Sequence, residues 1–140
     1  MGKLLVNAQV IINSVDLTDH CYSVVVNGQA ADEETTAMGA AGKSRVPGLK
    51  DESFEIELRQ DFAAGKVDAT LQPLYANGTS FVVEVRPTIA ARSVTNPAYV
   101  GNACYLIDYD PISGQVAKVM NSKIKIVVDG QTSAIQRLTS

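Results

Sequence analysis

The sharpest pattern in the sequence is SFEIELRQ, residues 53–60, where Phe54, Ile56 and Leu58 alternate with Glu55, Glu57 and Arg59. A period of two puts the apolar set on one face and the charged set on the other, as in a half-buried strand. SFVVEVR, residues 80–86, sets Phe81, Val83 and Val85 against Val82, Glu84 and Arg86 until Pro87 ends the run. Further strands are expected at 3–12, 21–27, about 99–109, 116–120 and 123–128, with a last one near Ile135. In the 99–109 strand the odd positions Tyr99, Tyr105, Ile107 and Tyr109 share a face, and Gly101 marks a bulge. In 123–128, Ile124, Ile126 and Val128 point inward and Lys123 and Lys125 outward.

Only one segment has a helical period. In KVDATLQPLYANG, Val67, Leu71, Leu74 and Tyr75 recur at helical spacing, which predicts a helix over about 66–76 stopped by Gly78. Pro73 makes it short or kinked. Several short strands with turn signals and this helix predict a mainly β fold, an antiparallel β-sandwich or barrel with one short α-helix. The whole chain, 1–140, reads as a single domain.

Residues 28–50, GQAADEETTAMGAAGKSRVPGLK, break the pattern, with almost no large apolar side chain. They form a long loop or an extended arm, and a segment of that length within a compact domain is usually functional or disordered. Gly39 to Arg45, GAAGKSR, end like a phosphate-binding loop, but Ala37 stands where the first glycine is required. The flanks, polar and acidic before and Pro47 after, do not supply the strand and helix such a loop joins. The segment therefore needs another role.

Composition narrows the roles. Hydrophobic residues are 46% and charged residues 19%, and the net charge is −3. The twelve Lys and Arg are scattered without a basic patch, so a phosphate-gripping surface is not expected. Asn7 and Gln9 interrupt the apolar start, which reads as a strand rather than a leader, and no run reaches the eighteen apolar residues of a membrane span. Folding in a cytosol and no membrane partner are expected. Cys21 and Cys104 lack a C-x-x-C spacing and are expected as free buried thiols.

Candidate chemistry is thin. His20 is the sole histidine, beside Asp19 and Cys21, and neighbours on a strand point to opposite faces. Neither Asp32 to Glu34 nor Asp108 to Asp110 has the oxygen spacing and central glycine of a calcium loop, and a zinc site lacks ligands. No cofactor, metal or catalytic residue is expected, and the chain reads as a non-enzyme.

Thr35 to Leu74 resembles the major tail tube proteins of long-tailed, siphophage-type bacteriophages. The matching elements are Thr36-Ala37-Met38-Gly39, Arg45 before Gly48-Leu49-Lys50-Asp51, Gln60-Asp61-Phe62, and Val67-Asp68-Ala69 leading to Leu71 and Pro73-Leu74. Val83-Glu84-Val85-Arg86-Pro87 and the Asn96-Pro97-Tyr99-Gly101 spacing are similar too. The resemblance implies a β-sandwich subunit that joins five others in a ring, with stacked rings forming a tail tube for DNA ejection. Inner strands of six subunits would form one barrel, and long loops and arms would bridge rings.

On this resemblance, 28–50 is an inter-subunit loop, with Asp32, Glu33, Glu34, Met38, Lys43, Arg45, Leu49 and Lys50 as candidate contacts. Its acids precede its bases, so opposite charges at its two ends are expected to favour head-to-tail stacking. Glu55, Glu57 and Glu84 are candidates for the lumen, where strong phosphate binding would hinder sliding DNA, and Arg59, Arg86, Lys123 and Lys125 can offset them across strands. The implied partners are copies of the chain, the tail terminator, tape measure and baseplate or tip proteins, and DNA in transient passage. The implied place is the virion tail, assembled in the bacterial host cytoplasm, with no added immunoglobulin-like domain. The alternatives are another tail, neck or contractile-injection tube component of this fold, or a monomeric β-sandwich module binding sugar or peptide.

Overall fold

The computed structural model describes residues 8–130 and 135–140. The strand expected from residue 3 and the reading of the N-terminal stretch lie partly outside these residues. Among the described residues eight strands form one antiparallel sheet: β1 (Gln9–Ile12), β2 (Val15–Asp16), β3 (Cys21–Glu34), β4 (Arg45–Arg59), β5 (Phe81–Arg86), β6 (Ala98–Ser113), β7 (Asn121–Val128) and β8 (Gln136–Leu138). One α-helix among the described residues, α1 (Val67–Asn77), joins β4 to β5. The strand order is β2-β1-β5-β6-β7-β4-β3, and β8 pairs with the start of β6. The mainly β antiparallel fold with one helix is thus as expected.

Local chemistry explains the turns and the helix end. Asn13 and Ser14 both take positive φ, 50° and 67°, the two-residue geometry that matches strand twist and lets β2 fold back on β1. Gly78, at φ 63°, ends α1 and donates its N–H to Leu74 O at 3.1 Å. The helix lays Val67, Leu71 and Leu74 on the sheet against β6.

The sheet curls around its core. Phe54, Ile56 and Leu58 are fully buried with Ile126 and Val83, and each such side chain contributes about 2 kcal/mol relative to exposure. Val24 and Val26 of β3 share a cavity of about 380 Å³ with Ala8, Val85 and Tyr99, so opposite ends of the strand order approach one another. β3 and β2 end the hydrogen-bonded path on either side.

Three expectations change. Residues 28–50 are not one loop: β3 continues to Glu34 and β4 begins at Arg45, leaving only 35–44 between them. Residues 116–120 are not a strand but part of a turn, closed by Lys118 N–H to Gln115 O at 3.0 Å with Ala117 at φ 68°. In β6 the inward set switches parity: Cys104 and Leu106 are buried, Tyr105 and Ile107 exposed, and Tyr109 buried again. The cause is a bulge at Ile107, since Leu106 pairs with Ile126 but Asp108 already pairs with Lys125. A second irregularity past Asp110 lets Pro111 sit inside the strand without owing a ladder hydrogen bond.

Candidate assembly surfaces

The most prominent surface is an arm. Beyond half-buried Val26 and its buried partner Phe54, β3 and β4 continue as a two-stranded hairpin whose residues are nearly all exposed. From Asn27 to Glu34 it projects about 24 Å at strand rise. A register shift between Ala30 and Asp32 places a bulge at Gly48 and Leu49. There a Cβ on Gly48 would come 2.9 Å from Glu33 Cγ and 3.1 Å from Ala31 Cβ, so the close approach requires glycine. At the base Ile135 packs on the core and donates its N–H to Glu52 Oε2 at 3.2 Å.

The tip is closed by a polar neck. Thr35 donates its N–H to Ser44 O at 2.7 Å, and Ser44 donates its N–H to Thr36 Oγ1 at 2.7 Å. Past the neck stand Met38, fully exposed, and Gly39 at φ 87°. The phosphate-loop-like run therefore lies at a hairpin tip between two strands, not between a strand and a helix.

The charges of the arm are not separated into two ends. Glu34 pairs across the hairpin with Arg45, Glu33 with Val46 and Asp32 with Pro47, and Asp32 Oδ2 lies 3.3 Å from Arg45 Nη1. Order along the chain suggested opposite poles, but the hairpin folds acids and bases back to the same level. Lys43 sits in the tip, while Leu49 and Lys50 lie toward the base, Leu49 with 88% of its surface exposed.

A second surface covers the outward face of β3, β4, β7 and β6. Glu55 lies between Val25 and Lys125, and Lys125 faces Asp108. Glu57 lies between Ser23 and Lys123, and Lys123 faces Asp110. Each row alternates carboxylate, ammonium, carboxylate, and so carries a net negative charge. Sequence reasoning found Glu55, Glu57 and both lysines on this face but missed Asp108 and Asp110, because the Ile107 bulge decides where they point. Arg59 closes the end of the face, stacked 4.1 Å from the ring centre of Tyr22 and bonded to Asn121 Oδ1 at 2.6 Å.

Glu84 does not belong to that exposed set. Its residue is only 8% exposed, with Arg86 3.5 Å away on one side and Arg92 hydrogen-bonded on the other. The loop that carries Arg92 is held by Asn96, whose side chain donates to Ala90 O at 2.9 Å and accepts from Thr88 N–H at 3.1 Å. Glu84 is thus a buried anchor for a loop.

The groups weighed for catalysis stay apart. His20 Nε2 faces Asp61 Oδ2 at 3.2 Å, whereas the Cys21 thiol turns to Ser23 O. Cys21 and Cys104 are unbridged, and burial pushes the Cys104 thiol up to about 11. Among the described residues no three His, Cys, Asp or Glu side chains gather as metal ligands, and no helix is long and apolar enough to cross a membrane.

Solved tail structures share this fold. The SPP1 tail tube superposes with a TM-score of 0.72 and 15% identity, over 96% of this chain and 77% of that one. The chain has the tail-tube fold. A chain of the virion of a native gene transfer agent superposes at 0.71 with 12% identity, over 94% of this chain and 95% of that one. A chain of the tail of an empty gene transfer agent particle, refined with C6 symmetry, gives 0.66 and 12% over 86% and 83%. Hcp1 from Flavobacterium johnsoniae shares the fold at 0.58 and 12%, over 88% and 90%. No protein-family model matches the sequence, and no curated protein matches it.

Proposed function

We propose that this chain is a structural tube subunit rather than an enzyme: six copies join edge to edge in a ring, and rings stack into the hollow tail of a virion through which DNA leaves. The observation that carries this reading is the likeness to the SPP1 tail tube over nearly the whole chain. The C6 symmetry of the gene transfer agent tail supports six as the ring number.

The surfaces suit that role. β3, fourteen residues long, is the last strand on its side of the sheet among the described residues, and an edge of that length is a template for pairing with another copy. The rows of Glu55 with Asp108 and Glu57 with Asp110 form the lumen wall, where their excess of carboxylates repels phosphate while Lys125 and Lys123 limit the repulsion between subunits. The arm, with Asp32, Glu33, Glu34, Met38, Lys43, Arg45, Leu49 and Lys50, reaches the neighbouring ring. Terminator, tape measure and baseplate or tip proteins complete the tail, which assembles in the bacterial host cytoplasm.

Sedimentation over a concentration series tests the reading. The 14.9 kDa chain gives way to a species of about 90 kDa, six times 14.9, and then to much larger particles as concentration rises. A single 14.9 kDa species at every concentration would contradict it.

A further inference from the structure

The part of the sheet made by β3, β4, β7 and the second half of β6 has two unlike flanks. On one side the path ends at β3, whose half-buried Val24 and Val26 line the apolar cavity shared with Ala8, Val85 and Tyr99. On the other side β5 leaves β6 at Cys104, so from Tyr105 to Ser113 β6 pairs only with β7 among the described residues. A row of cross-strand partners, Val24, Ile56, Ile124 and Tyr109, runs from the first flank to the second.

The second flank is covered by α1, and the helix has an unusual surface. Tyr75 leans on Tyr109, with ring centres 6.3 Å apart, yet it is 49% exposed. Ala69, Gln72, Pro73, Ala76 and Asn77 are exposed along the same helix, and none of them carries a charge. The one acid of α1, Asp68, is taken up by the Tyr109 hydroxyl at 2.7 Å. A solvated helix face is ordinarily rich in charged side chains, whereas their depletion around a tyrosine is the composition of an interface centre.

Resting on the reading of six copies in a ring, we propose that α1 of one copy seats against β3 of the next, with Tyr75 entering the apolar cavity beside Val24 and Val26. Strand direction selects this pairing of flanks. When β3 comes alongside Tyr105 to Ser113 of a neighbour held in the same orientation, the two strands run antiparallel. The seam that keeps the charged faces continuous puts Val24 and Val26 on the same side as Tyr109, beside the neighbour's helix, and a register moved by an even number of residues preserves this. Knob and cavity lie on opposite flanks, so the contact is heterologous, and a rotation that closes gives a ring in which every cavity is filled. Val24 and Val26 stay half exposed in a single copy because their cover comes from another.

The test uses full-length protein carrying Cys21→Ser, with either Gln72→Cys or Val24→Cys; Cys104 stays, since it is fully buried. The two variants are mixed at a concentration that gives rings and treated with a short bis-maleimide. A covalent dimer is expected in the mixture and in neither variant alone. Separately, Tyr75→Arg is expected to raise the concentration needed for rings about tenfold. Gln72→Glu, nearly isosteric and one turn from Tyr75 on the same face, should shift ring formation in the same direction while the urea midpoint of the single chain stays unmoved. Dimers from Gln72→Cys alone would show helix packed on helix and overturn the contact. Rings that form without the mixed dimer, or with both Tyr75→Arg and Gln72→Glu at the unaltered concentration, would overturn it while leaving the ring reading intact. Failure of the unaltered protein to form rings would overturn both.

Discussion

Asp32 and Arg45 face one another diagonally across the arm, with carboxylate and guanidinium 3.3 Å apart and both more than half exposed. Such a pair adds at most about 1 kcal/mol to the stability of a single chain. Arg45→Glu should therefore leave the urea midpoint of the isolated subunit almost unchanged. It would place four carboxylates on the distal arm and weaken tube growth, seen as a slower rise in light scattering. Normal growth of Arg45→Glu would exclude a role for this charge in assembly.

Glu84 separates stability from assembly in the opposite sense. Its carboxylate holds Arg86 and Arg92 in a nearly dry setting. Glu84→Gln leaves two poorly hydrated cations together and is expected to cost about 3 kcal/mol by urea denaturation. Arg92→Gln, which removes the more exposed of the two cations, should cost less. An equal or smaller loss for Glu84→Gln would contradict the anchor role.

Gly101 sits where β6 passes closest to the core. A Cβ there would lie 2.5 Å from Cys104 Sγ and 3.2 Å from Phe54 Cε2. Gly101→Ala is expected to cost about 2 kcal/mol, as overpacking does. Adding Cys104→Ala should recover part of that loss, so the two changes would be non-additive in a double-mutant cycle. Strict additivity would place the strain elsewhere.

Tyr109 gives the fold an alkaline limit. Burial, with the Asp68 carboxylate at 2.7 Å accepting its proton, raises the phenol to about 12 from an ordinary 10. The folded state thus holds this proton more tightly than the unfolded state. The resulting stability is complete below pH 10 and is lost between pH 10 and 12. Tyr109→Phe should lose about 1 kcal/mol at neutral pH with its hydrogen bond, and show a shallower decline over that alkaline window. An identical slope for both proteins would refute the assignment.

Much of the fold was legible where a strand has one buried face. Phe54, Ile56 and Leu58, and Ile124 with Ile126, alternate cleanly and are buried as the pattern requires. The arm was not legible as strand, because a hairpin standing clear of the core has no apolar alternation to display. The turn at 114–120 failed for the converse reason: Val116, Val119 and Met120 look like strand residues, but they are exposed and the backbone reverses at Ala117. The bulge at Ile107 moved Asp108 and Asp110 onto the charged face, and only register shows that. Alternation placed Glu84 on the polar side correctly, but its cover comes from Arg92, on a loop whose course the sequence does not reveal. The resemblance in the Thr35 to Leu74 motifs agrees with the tail-tube fold, although identities of 12 and 15% leave few residues to carry it.

The central claim is self-assembly, and electron microscopy of the purified chain, fresh and after concentration, tests it most directly. Rings with six-fold symmetry stacking into hollow tubes are the expected result. Particles that stay single and ringless at every concentration, and that do not enter phage tails when supplied during assembly, would contradict it.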